Sequence, residues 1–120
     1  NNFNYLHERK LNINKISGNL SGVDSLTPTK LSKGIFNNYS IRFHLYPGIN
    51  AVRTIGKNSI LIQIEKNKSL IFTSKGEHIS LEKSIFLGRN QIINNSCITI
   101  SGKINNNESK NIYWDLKKNN

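Results

Sequence analysis

Short runs of alternating apolar and polar residues, cut by turn-forming residues at roughly eight-to-twelve-residue intervals, fill this 120-residue chain from end to end. Alternation at period two sends successive side chains to opposite faces of a strand. No window carries the 3.6-residue period of an amphipathic helix. The pattern predicts an all-β fold, an antiparallel β-sandwich of about nine strands with no substantial helix.

The expected strands can be read off in order. Tyr5 to Asn14 alternates and closes on Ser17-Gly18-Asn19, and Leu20 to Leu26 is its hairpin partner, stopped by Thr27-Pro28. After a connection from Thr29 to Asn38, a second hairpin spans Ser40 to Tyr46 and Ile49 to Ile55 around Pro47-Gly48. Strands are then expected over Ser59 to Glu65, Ser69 to Ser74 and His78 to Leu87. Asn94 and Asn95 read as a break before Ser96 to Ile104, and Lys110 to Lys117 is the last strand. Trp114, Phe43, Phe72 and Phe86 are the largest apolar groups in alternating positions, which makes them the expected core.

A chain this long supports one domain with a core of its own, over residues 1–120, with frayed ends. It contains no methionine, which reads as a piece of a longer protein. No apolar run approaches the ~20 residues of a membrane-spanning helix. The single Cys97 excludes an internal disulfide and, within the apolar alternation SCITI, reads as a buried structural thiol.

Seventeen basic residues against seven acidic ones give a net charge of +10, which would favour a polyanion. Yet 20 Asn, 18 Ile and 13 Lys, all with A- and T-rich codons, account for much of that surplus. The basic residues are scattered, without the stripe of a nucleic-acid groove, so no specific nucleic-acid partner is expected.

His7, His44 and His78 fall in three different expected strands, which leaves no local metal-ligand spacing. No phosphate-binding glycine loop, nucleophile elbow or carboxylate pair is present, and the residues leave a cofactor unassigned. One strand face stands out. In SIRFHLYPGINA, Ile41, Phe43 and Leu45 alternate with Arg42, His44 and Tyr46. Guanidinium, imidazole and phenol on one face could hold a sugar or an acidic group, so Arg42, His44 and Tyr46 are the candidate substrate-binding residues; the bland alternative is a solvated strand face.

Taken in order, these segments resemble the C-terminal β domain of heparinase II/III-like proteins. YLHERKLNI and GNLSGVDSL resemble the family's H-R-R-x-L-x-L and L-x-G-x-D-x-L, and IRFHLYPGINA resembles R-F-H-L-H-P-x-V-x-A. SLEKSIFLG, ITISGKI and YWDLKK resemble its S-L-E-x-S-x-Y-L-G, I-V-L-S-G and W-x-L, so that residues 5–117 are covered. The family usually has a second His where this chain has Tyr46.

The resemblance implies a polysaccharide lyase that cleaves acidic, uronic-acid-containing glycans by β-elimination. An N-terminal α/α toroid domain of the same protein and the main catalytic residues would lie upstream, so the 120 residues alone are expected to be inactive. The resemblance implies a periplasmic or cell-envelope location, with the cytoplasm as the alternative. The alternatives are a stand-alone carbohydrate-binding module and a purely structural β-sandwich.

Overall fold

The structure, a computed structural model, describes residues 5–29, 36–54, 58–88, 91–105 and 108–119. Nine strands are present: β1 (Tyr5–Ile13), β2 (Leu20–Pro28), β3 (Phe36–His44), β4 (Asn50–Arg53), β5 (Ser59–Glu65), β6 (Lys68–Ser74), β7 (His78–Gly88), β8 (Gln91–Asn105) and β9 (Lys110–Lys118). They form two antiparallel sheets, one of six strands in the order β1-β2-β9-β6-β5-β4 and one of three in the order β3-β8-β7. The all-β expectation holds, with no helix among the described residues.

Each sheet turns one phase of its alternation inward. In the three-stranded sheet, Ile41, Ile100 and Ile79 occupy one cross-strand row and are almost inaccessible. From the six-stranded sheet, Ile60, Ile62, Phe72, Ile112 and Trp114 meet them. Phe43 lies 5.0 Å, centroid to centroid, from both Phe72 and Trp114. These tilted and edge-on contacts are the favoured ring geometries and add to the burial term. Trp114, Phe43 and Phe72 are thus core residues as expected, with Phe43 only partly buried. The side chain of Phe86 lies outside the described residues.

Close approach explains Gly22. It sits opposite Trp114 in the β2–β9 register, and a Cβ there would overlap the indole ring. The glycine is what lets the six-stranded sheet carry a tryptophan on its inner face.

Two strand boundaries and the burial of Cys97 differ from the sequence expectation. β3 ends at His44, because the Tyr46 carbonyl accepts the Ile49 N–H at 3.1 Å and closes a turn. Pro47 and Gly48 are its central residues, with Gly48 at φ 91°, the pattern of a type II turn. Tyr46 therefore belongs to the turn and is 79% exposed. β8 begins at Gln91, running through Asn94 and Asn95, which pair with Ile85 and Ser84 of β7. Two asparagines do not stop a strand whose backbone partners are already in place. The β7–β8 hairpin therefore reaches past the sandwich and leaves Ile85, Leu87 and Ile92 exposed.

Cys97 is the third correction. It is half-buried instead of buried, and unpaired. Ile98 and Ile100 take the inward phase of β8, so Cys97 and Thr99 fall on the outer face.

Candidate functional site

Two polar sites are built on this frame, one inside the sandwich and one on its outer face. The inner one starts from the first hairpin. Its register pairs Tyr5 with Pro28 at one end and Ile13 with Leu20 at the other, so Arg9 lies directly opposite Asp24 and His7 opposite Leu26. Asp24 shares the inward phase with Leu26 and has no accessible surface.

An ionised carboxylate in such a place is costly unless every lone pair is used. Asp24 meets that demand. Its Oδ1 accepts from Arg9 Nε at 3.0 Å and Trp114 Nε1 at 3.1 Å; its Oδ2 accepts from Arg9 Nη2 and is bonded to His7 Nε2, both at 2.9 Å. The fork geometry of Arg9 matches the two carboxylate oxygens. The guanidinium also lies 4.4 Å above the Phe43 ring centroid, which ties β1 to the opposite sheet. Burial alone pushes the Asp24 carboxyl up, but the hydrogen bonds from Arg9, Trp114 and His7 outweigh it and hold the group below its ordinary value.

The outer site lies on the exposed face of the three-stranded sheet. Glu82, Cys97 and His44 share one cross-strand row, and Arg42 and Thr99 the next. Arg42 is ion-paired with Glu82, whose Oε1 also accepts from the Thr99 hydroxyl at 3.0 Å. The Thr99 bond and the Arg42 charge hold the Glu82 carboxyl below its usual value, and Glu82 in turn raises Arg42. A shallow groove of about 690 Å³ opens here, lined by Arg42, His44, Glu82 and Cys97 and bounded by Pro47.

Two of the three sequence candidates, Arg42 and His44, are therefore brought together on one face. Tyr46 stands apart in the turn and does not line that groove. His7, His44 and His78 fall on β1, β3 and β7, and among the described residues no group of three His, Cys, Asp or Glu side chains could hold a metal ion.

The inner network is what the sequence reading missed, although its signal was there. Asp24 occupies an inward position between Leu20 and Leu26, where an acid demands a cation. The Ser17-Gly18-Asn19 turn fixes a register that puts Arg9 opposite it.

The family model described as heparinase II/III-like, C-terminal, matches residues 1–115. The chain belongs to the heparinase II/III-like family. A search of the curated proteins finds no match. In this heparinase II/III-like domain, the segments that carry the resemblance are those that build the two sites: YLHERKLNI supplies His7 and Arg9, SGVDSL supplies Asp24, and IRFHL supplies Arg42 and His44.

Proposed function

We propose that this domain is the C-terminal β-sandwich of a polysaccharide lyase acting on uronic-acid-containing glycans, with the main catalytic residues upstream and Arg42, His44 and Tyr46 on the glycan-contacting side. The observation that carries the reading is the family match over residues 1–115. In β-elimination a base removes the proton alpha to the uronate carboxyl, the bond to the leaving glycosidic oxygen breaks, and a carbon–carbon double bond forms as that oxygen takes a proton. Neutralising the carboxylate stabilises the charge that develops on it.

Arg42 supports the reading because it is half exposed and is held by Glu82 through Nη1, which leaves further guanidinium N–H donors for an incoming carboxylate. His44 beside it adds a ring nitrogen for a hydroxyl. The acidic polysaccharide and an N-terminal α/α toroid of the same protein are the partners this function implies.

The test compares the 120-residue chain with a longer product of the same gene on alginate and on heparin. The longer product is expected to generate the ultraviolet absorbance of unsaturated uronates, and the 120 residues alone none. Absence of that absorbance from the longer product on every acidic polysaccharide tried would sink the lyase reading and leave a binding or bracing domain.

A further inference from the structure

β1 and β3 are each an edge strand of their own sheet, and they border the same open side of the sandwich. Between them runs a groove of about 500 Å³, within the usual range of small-ligand sites, about 300–1,000 Å³. Its charged and titratable lining is one-sided: His7, Arg9 and Arg42, with the phenols of Tyr5 and Tyr39, and no carboxylate. The two acids that pair with the arginines stand outside that lining. Asp24 is fully buried behind it and Glu82 is on the outer face.

We propose that this groove binds the carboxylate of an acidic sugar, with His7 and Arg9 as contacts from β1 and Arg42 from β3. His7 Nε2 is committed to Asp24, which fixes the ring. Among the described residues nothing else hydrogen-bonds the ring, and the side chain is 45% exposed, so Nδ1 is the nitrogen open to a ligand; with Nε2–H given to the Asp24 carboxylate, Nδ1 donates to a ligand carboxylate as part of an imidazolium. Arg9 cannot swing away, because its Nε and Nη2 are tied to Asp24 and its plane rests on Phe43. A site whose donors are already fixed loses little ordering entropy on binding.

The remainder of the lining fits the rest of a pyranose. Leu26, Ile41 and Ile104 offer an apolar wall for ring C–H groups, and Ser40 and Asn38 offer polar groups for hydroxyls. The choice of a uronate over another carboxylate rests on the function proposed above. The site itself is distinct from the outer face, sharing only Arg42 with it.

The experiment is a nuclear magnetic resonance titration of the 15N-labelled 120-residue chain with sodium D-glucuronate, at constant ionic strength, with D-glucose and sodium sulfate as parallel probes. Saturable shifts are expected in the His7 ring, the Arg9 Nε–H and the amides of β1 and β3, with glucose and sulfate each binding at least tenfold more weakly. His7→Gln should weaken glucuronate binding at least fivefold while leaving the remaining spectrum in place. The wild-type map alone decides the matter if that variant unfolds.

Equal shifts from glucose, or from sulfate, would overturn the proposal, as would no saturable shift at all. Shifts confined to His44 and Cys97 would also overturn it, while favouring the outer face. The absorbance assay on the longer product judges the lyase reading separately, so either idea can fail without the other.

Discussion

Arg9 with Asp24 and Arg42 with Glu82 are the same chemical pair placed in opposite surroundings. Asp24 has no accessible surface and takes bonds from three side chains; Arg42 and Glu82 are each about half exposed, at 51% and 55%. On the inner side, loss of Arg9 would strand a carboxylate that water cannot reach, although Arg9 itself is 36% exposed. On the outer face, water replaces whatever is lost, and such pairs contribute little to stability. The contrast gives the inner pair a part in holding the sheets together that the outer pair does not share.

The largest effect is expected from Asp24→Ala. The change leaves the buried Trp114 Nε1–H without its acceptor and takes the carboxylate from the partly exposed Arg9 and His7, a loss of about 3 kcal/mol. That is a large share of the roughly 5–15 kcal/mol available to a domain. The denaturant midpoint should fall accordingly, and a drop no larger than that of Glu82→Ala would erase the distinction between the pairs.

The same residue fixes the sign of an acid effect. Because the folded carboxyl is held below its ordinary value, its contribution is complete above the unfolded value of about 3.9 and is lost as the pH falls from there through the folded value. Asp24→Asn should remove that part of the acid limb, seen as a flatter dependence of the unfolding midpoint on pH below about 4.

Gly22→Ala is the next largest. Its new methyl group meets the Trp114 indole, whose Nε1–H must stay on Asp24, so the ring cannot simply move aside. Overpacking of this kind costs about 1–3 kcal/mol. Near-ultraviolet dichroism of the single tryptophan should change along with the midpoint. An unchanged signal would mean that the indole is not gripped by the network.

The fold was legible in the chain because period-two alternation and turn residues are local signals, and Ile41, Ile79, Ile98 and Ile100 obey them. Strand ends were less so. Whether Asn94 and Asn95 interrupt a strand depends on Ser84 and Ile85 across the hairpin, which no local reading contains. The outer site was half legible: phase put Arg42 and His44 on one face, but the type II turn at Pro47-Gly48 took Tyr46 out of line with them. The inner network depended on Trp114, ninety residues from Asp24, and no pairing rule between neighbouring strands reaches that far.

Arg42→Ala is expected to have the smallest effect on stability and the clearest effect on binding. Its partner Glu82 keeps the Thr99 hydroxyl and gains water, so the unfolding midpoint should stay within error of the wild type. Arg42 lines both grooves, however, and its loss removes a cation from each. Retardation of the domain in alginate gels at low salt should therefore weaken, and more than it does for a substitution such as Lys68→Ala, whose ammonium pairs with Glu65 away from both grooves. Equal weakening by the two variants would reduce the outer pair to a share of the domain's general positive charge. A fall in the midpoint comparable to that of Asp24→Ala would make it structural, and the difference between the two arginines would vanish.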